Sequence, residues 1–410
     1  MKKNNPRLVF WVGIIGNVLD HYDVALYAFM AQFISPIFFA ETTDKVVALI
    51  LTYSLMSTSI VTRPIGAFVF GKMAMNYGPK RVLVITLIGM SISTLLVGLT
   101  PGYDTIGPMA PLVLMLARML QGIFASGEGT VSSLFIMEHV KVGNYSKASS
   151  YYLVSTMGGM MVASWAATCV STTSDPSYYW RYPFFGAILT GFIGVFLRSL
   201  LKDLPVEVPE KRVTSMDLIR VNSGKLIRII IVSSFSYMTY AIPFIFMNNF
   251  VPMLHPSISS TEMLAHNSML LMFDIVLLII AGFISEKFEY NKWMATMSFI
   301  LFLTSIPLFW LLSSASITII VLVRIWFIFI GVLFVAPLKA WFFKMLSGNE
   351  KYLVLGIGYS IGAELLGRST TPLCLFLWRH FEHLLAPAIY VAILSLAATI
   401  ALTYKSERLP

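Results

Sequence analysis

Residues 16–27 read GNVLDHYDVALY, and here an otherwise apolar run carries Asn17, Asp20, His21 and Asp23 within seven positions. Asn17, Asp20, Asp23 and Tyr27 are spaced three, three and four apart, which sets them on one face of a helix. Two carboxylates within one turn interact strongly, and a pair of this kind is suited to taking up and releasing a proton near neutral pH. The same spacing also fits a structural end: a neutral acid hydrogen-bonded between helices, or an ion pair that holds a bundle together. His21 points off the shared face and reads as a packing or interhelical hydrogen-bonding residue.

A second stretch, LARMLQGIFASGEGTVSS, aligns Arg118 and Gln121 with Ala125 and Gly129 along one stripe, where small side chains let helices approach. The planar fork of Arg118 suits either a carboxylate on a neighbouring helix or the carboxylate of a substrate. Glu128 lies further toward the cytoplasmic end and reads as structural. An ionisable side chain at bilayer depth costs roughly 2.5–3.5 kcal/mol on insertion scales, so it faces a cavity or a partner. The sequence places Asp20, Asp23, Glu128, Asp274 and Glu364 at that depth, beside Arg63, Arg118, Arg324 and Arg368. Around Glu364 and Arg368, GIGYSIGAELLGRSTTP has enough glycine to bend readily or to pack tightly. Cys169 and Cys374 both lie in apolar runs and suggest no disulfide framework. No spacing suggests a metal site, and no nucleophile is placed beside a base, so an enzyme is not expected.

The elements that must hold these groups follow from composition. The 410 residues are 57% hydrophobic and 12% charged, where a soluble chain carries about 25% charged residues. The expected class is an all-α polytopic membrane protein with twelve spans. Six run Leu8–Ile34, Val46–Phe70, Val82–Leu99, Pro111–Met137, Ser150–Val170 and Tyr182–Leu200. Six more run Ile227–Val251, Leu264–Ser285, Trp293–Leu312, Ile317–Pro337, Tyr352–Leu377 and Pro387–Tyr404. The longest polar insert, with two prolines and mixed charges, divides the chain into a six-helix bundle over 1–200, a linker over 201–226 and a second six-helix bundle over 227–410.

With the N-terminus in the cytoplasm, 22 of the 29 Lys and Arg fall on the cytoplasmic side. Only Lys45, Arg181 and Arg379 fall opposite, and Arg63, Arg118, Arg324 and Arg368 stay inside spans. This bias sets both termini in the cytoplasm. The net charge of +9 is scattered between apolar runs rather than gathered in a block, which fits a lipid bilayer and not a nucleic acid. The basic start MKKNNPR is followed by a run too long for a cleaved signal, so it is expected to remain as the first span. Paired halves of six spans suggest a secondary transporter with its site at the midplane.

Several strings together resemble the metabolite:proton symporter family of the major facilitator superfamily. GNVLDHYDVALYA resembles its opening Gly-Asn-x-x-Glu-Trp-Tyr-Asp-x-x-x-Tyr pattern. ARMLQGIFASGEG resembles its span-four Arg-x-x-Gln-Gly-x-x-x-Gly-Gly-Glu. RPIGAFVFGKMAMNYGPKR, WRYPFF, GIGYSIGAELLGRSTTP and PAIYVAIL fall in the family's order over nearly the whole chain. The resemblance implies proton-coupled uptake of a small polar metabolite by alternating access, in a bacterial inner membrane. The solute would be a zwitterionic osmolyte such as proline or betaine, or an organic acid. The partners would be that solute, protons and lipid, with no cofactor beyond the proton gradient and a monomeric carrier.

Carried over by position, Asp20 stands where the family has Glu, Asp23 keeps the Asp and His21 replaces Trp. Arg63, Arg118, Gln121 and Glu128 keep their types. Asp20 and Asp23 are then the proton-coupling pair, while Arg63, Arg118, Gln121, Asn17 and Tyr27 serve substrate binding and charge pairing. Glu128, Glu286, Lys287, Glu364, Arg368, Gly71 and Gly78 serve structure or gating. The loop after span two keeps Gly71 and Gly78, but Met75 replaces an Asp that helps latch the cytoplasmic side, and Asn76 replaces an Arg. Ser285-Glu286-Lys287 keeps an acid and a base in the second half. An exporter or exchanger on the same fold, and a membrane receptor that no longer transports, are the alternatives.

Overall fold

The computed structural model describes residues 5–39, 45–201, 214–313 and 316–404. Residues 202–213 of the expected linker, with Lys202, Lys211 and Arg212, lie outside the described residues, as do Lys2, Lys3, Lys405 and Arg408 at the two ends. The described residues are helical, with no strand among them. Six longer helices lie in the first half, α1 (Pro6–Phe38), α2 (Lys45–Tyr77), α3 (Pro79–Leu99), α4 (Met109–His139), α5 (Tyr145–Ser171) and α6 (Ala187–Ser199), with short helical turns at Tyr103–Ile106, Pro176–Tyr179 and Tyr182–Phe185 between them.

In the second half, α7 (Ser223–Ala241) runs on through a π-helical turn, Ile242–Phe246, into Met247–Leu254. It is followed by α8 (Ser260–Ser285), α9 (Tyr290–Leu311) and α10 (Ile317–Val335). Next, α11 (Lys351–Tyr359) continues through a second π-helical stretch, Ser360–Gly367, into Thr370–Phe381, and α12 (Leu385–Thr403) ends the bundle. Nine helices among the described residues are long and apolar enough to cross a membrane. The other three expected spans fall on α1, α2 and α11, the first and last of which carry intramembrane acids.

The described residues form two compact units. One is drawn from Met1–Val140, Val154–Val213 and Ser347–Ile357, the other from Lys141–Leu153, Thr214–Leu346 and Gly358–Pro410. The division therefore falls inside α5 and α11 as well as in the long polar insert.

In the first unit, Leu26, Tyr27, Met30, Ile34 and Phe38 of α1 meet Val97, Leu114, Val170, Trp180 and Phe184 in an apolar core. Trp180, from the WRYPFF string, is fully buried, with the Arg181 guanidinium 4.5 Å from its ring centre. One glycine fixes the α2–α3 corner and another, inside α2, lets it approach the start of α11. Gly78 sits at φ +90° and ψ 151°, a region essentially closed to side chains, and Pro79 then starts α3. At Gly71 a Cβ would lie 2.8 Å from the Leu353 Cα and 2.9 Å from the Tyr352 carbonyl oxygen. Gly78→Ala is accordingly expected to lower the stability of the purified protein by about 1–3 kcal/mol, seen as an earlier thermal unfolding midpoint in detergent. An unchanged midpoint would show that the corner tolerates another backbone shape.

In the second unit the π-helical turn after α7 leaves backbone carbonyls without their usual helical donors. Arg324 of α10 meets that need. Its Nε donates to the Pro243 carbonyl at 2.9 Å, its Nη1 to the Met263 carbonyl at 3.3 Å and its Nη2 to Asn267. This intramembrane arginine is bound to backbone and amide, which makes it a structural residue. At the end of α8, Glu286 accepts from the Ser146 backbone N–H and from the Tyr290 hydroxyl, so its carboxylate sits against the start of α5.

Candidate functional site

The face of α1 that the sequence gathers is buried along its length in the first unit, and each residue on it meets a different helix. Asn17 donates through Nδ2 to Ser155 Oγ at 2.8 Å and to Thr156 Oγ1 at 2.9 Å on α5. Asp23 accepts a long hydrogen bond, 3.4 Å, from Thr190 of α6, and its backbone carbonyl accepts from Gln121 Nε2 of α4 at 3.0 Å. Tyr27 donates to the Thr52 carbonyl of α2 at 3.1 Å, and the Arg118 guanidinium lies 4.3 Å from its ring centre. Asp20 lies within electrostatic reach of Glu128, Arg63, Asp23 and Arg198.

Gln121 is the hub on α4. Its Oε1 accepts from Arg118, while its Nε2 donates to Thr94 Oγ1 at 2.8 Å as well as to Asp23. Arg118 is thereby held beside the acids through an amide. Its rigid fork and the ring of Tyr27 set the orientation.

Glu128, read from the sequence as structural, lies within electrostatic reach of Asp20. Fully buried at 0% exposure, it accepts from Thr86 Oγ1 at 3.0 Å and pairs with Arg198 Nη2. Arg198, 2% exposed, also donates through Nη1 to the Leu83 carbonyl at 2.6 Å. One turn before Asp20, Gly16 leaves room for the pair: a Cβ there would lie 2.9 Å from Arg198 Nη2. The loop count put Arg198 on the cytoplasmic side, whereas the last turn of α6 carries it inside. Its position in the string FLRSLL, one turn from the end of an apolar run, was the available signal. Thr86, Thr94 and Thr190 were invisible in sequence, because a threonine in an apolar helix has no motif.

His21 stands closer to the acids than its helical angle implies. Its Nδ1 donates to its own helix at the Asn17 carbonyl, 2.9 Å away, and lies 3.5 Å from Asp20 Oδ2. That hydrogen bond is intrahelical. Three acids (Asp20, Asp23, Glu128) and three arginines (Arg63, Arg118, Arg198) thus share one buried region of the first unit. Glu128 has donors on both oxygens. Asp20 Oδ1 and Asp23 Oδ1 are enclosed without a hydrogen-bond donor.

The other residues lie elsewhere. Near the Gly71 corner, Glu138 pairs with Lys351 at 2.6 Å and accepts from the Tyr352 hydroxyl at 2.7 Å. This acid in the first unit had no place in the sequence reading. In the second unit, Glu364 and Arg368 pair at 2.6 Å across the π-helical stretch. Glu286 engages Ser146 and Tyr290, and Lys287 beside it is exposed.

Comparison with known proteins agrees with this architecture. A family model, the Major Facilitator Superfamily, matches residues 24–372. A glycine betaine/proline/ectoine/pipecolic acid transporter, OusA of Dickeya dadantii, is 25% identical over 427 aligned positions, covering 98% of this chain and 83% of the relative. A proline/betaine transporter of Escherichia coli is 33% identical over 197 residues, 47% of this chain and 39% of the relative. Among solved structures, the proton:xylose symporter XylE superposes with a TM-score of 0.73 at 14% identity, covering 96% of this chain and 94% of that one. At that identity the likeness is one of fold.

Proposed function

This chain belongs to the major facilitator superfamily and is a multi-pass membrane transporter rather than an enzyme, and from that premise we propose that it carries a small zwitterion of the proline or betaine type together with a proton. The relatives' names favour this solute class over a plain organic acid. The transporter works by alternating access in a bacterial inner membrane, as a monomer with both termini in the cytoplasm, driven by the proton gradient without a cofactor.

The observation that carries the reading is the unequal treatment of the three acids. Glu128 is bound on both sides by Arg198 and Thr86, so it stays fixed as part of the scaffold. Asp20 and Asp23 are as deeply buried, and each keeps an oxygen without a donor. A buried polar atom left that way costs free energy unless a proton or ligand reaches it. A proton arriving at Asp20 cancels its attraction for Arg63, and the guanidinium is then available to a substrate carboxylate. Proton and solute binding become linked through one competition, and Arg118 offers a second cation on the same side of α1.

The direct test uses purified protein in liposomes with an imposed pH gradient, acid outside. Labelled proline or glycine betaine is expected to accumulate several-fold over vesicles without the gradient. If neither accumulates while an organic acid does, the solute class is wrong. If the gradient has no effect on any solute, the coupling is wrong.

A further inference from the structure

We infer that His21 is a proton relay to Asp20, its imidazole passing a hydrogen from the α5 side of α1 to the enclosed carboxylate. The inference rests on the proton-coupled reading above and names the entry step of that site. His21 stands near the middle of α1, whereas the other five histidines lie within two turns of a helix end or between helices. An ionisable side chain in mid-span is a candidate for function, and imidazole changes its charge near neutral pH. The His21 side chain is 23% exposed and that of Asp20 3%, with Nδ1 and Oδ2 3.5 Å apart. The acid is enclosed, and its neighbour on the same helix reaches outward.

The backbone of α5 passes close beside His21. A Cβ at Gly159 would lie 2.8 Å from the His21 Cβ, so a side chain there would displace the ring. One turn earlier, Asn17 ties α1 to Ser155 and Thr156 of the same helix. The α5 residues in these contacts are uncharged. The charges around Asp20 come from other directions: Asp23 on α1, Arg63 on α2, Glu128 on α4 and Arg198 on α6. Glu128 is bound by Arg198 and Thr86, and the two arginines repel an approaching cation. The Asn17 carbonyl can only accept, so Nδ1 carries a hydrogen and Nε2 is the basic nitrogen of the neutral ring. In the relay step an N–H bond forms at Nε2 as hydronium gives up a proton. The N–H bond at Nδ1 breaks, and an O–H bond forms at Asp20 Oδ2. A rotation of the carboxylate brings the two atoms to hydrogen-bond length. The ring ends neutral in its other tautomer, with the Nδ1 lone pair facing the Asn17 carbonyl. That repulsion returns it through water to the starting tautomer before the next proton.

The test does not depend on transport. The purified full chain in detergent is jumped from alkaline to acid pH, and protonation of Asp20 is followed by the infrared carbonyl stretch of its carboxylic acid, identified as the band that Asp20→Asn removes. In His21→Asn the band is expected to appear about a hundredfold more slowly. The pH midpoint of its amplitude should stay in place, because a relay changes a rate and not an equilibrium. Asparagine offers an amide N–H near the position of Nδ1, so it keeps a donor for the Asn17 carbonyl while it cannot pass a proton. His21→Gln is expected to behave alike, and it gives the answer if His21→Asn has a lowered thermal midpoint. A natural rate in the folded variants, or no such band in the natural chain, overturns the relay. So does a slowing that comes with a shifted pH midpoint, which is the mark of altered packing around Asp20. Failure of the proton-coupled reading would appear instead as uptake indifferent to the pH gradient in vesicles, with the His21-dependent rate intact.

Discussion

Asp20→Asn and Asp23→Asn are each expected to reduce uptake driven by a pH gradient by about two orders of magnitude, the scale on which a positioned proton-transfer group matters. Exchange of solute across vesicles without a gradient should fall far less. Asparagine keeps the shape of aspartate and cannot cycle a proton, so the change isolates coupling from architecture. The fold should tolerate it, because the enclosed Asp20 Oδ1 and Asp23 Oδ1 already lack donors and lose no hydrogen bond. Asp23 gives the cleaner contrast. Its other contacts are the long bond from Thr190 and a backbone bond from Gln121, and the second survives any side-chain change. Asp20 is the stronger candidate for linking proton to solute, since it alone is within reach of Arg63, Arg198 and Glu128 together. Counting protons per solute by the reversal potential separates the two. Normal concentrative uptake in both variants would remove this acid pair from the mechanism.

Much of this organisation is legible in the chain itself. The period of α1 placed Asn17, Asp20, Asp23 and Tyr27 on one face because a helix turns through a fixed angle per residue, and all four are buried. Apolar length indicated the spans because lipid imposes one length, and nine of the helices are long and apolar enough to cross it among the described residues. The glycine-rich string around Glu364 was read as a helix that bends readily or packs tightly; a π-helical stretch occupies Ser360–Gly367, and Gly362 and Gly367 in it lie close against the Ile230 backbone and the Tyr237 side chain. What escaped was partnership across long sequence separations. Arg198 and Glu128 are seventy positions apart, and nothing local ties them. The charge count put Arg198 on the cytoplasmic side although the expected span ran on to Leu200. The same limit hid the Glu138–Lys351 pair and the bonds that make Arg324 structural. Threonines that donate to buried acids leave no periodic trace at all.

Arg198→Met is expected to be the most destabilising single change in the first unit. It strands Glu128, fully buried, with only Thr86 as donor, and leaving one partner of a buried pair uncompensated costs about 3–5 kcal/mol. The double variant Arg198→Met with Glu128→Leu removes both charges and fills the space with apolar atoms of similar size. Such replacements are often neutral or stabilising, so its thermal midpoint in detergent should return to near that of the natural chain. Transport should not return with it. Asp20 lies within electrostatic reach of both partners, and without them the energy of its charge relative to Arg63 changes. A stable double variant with impaired proton coupling is therefore the expected result, and it assigns the Arg198–Glu128 pair to tuning the acid on α1. A double variant that is stable and couples normally would leave the pair as scaffold alone. An Arg198→Met variant as stable as the natural chain would mean that water reaches Glu128, and the closed cluster around α1 would have to be redrawn.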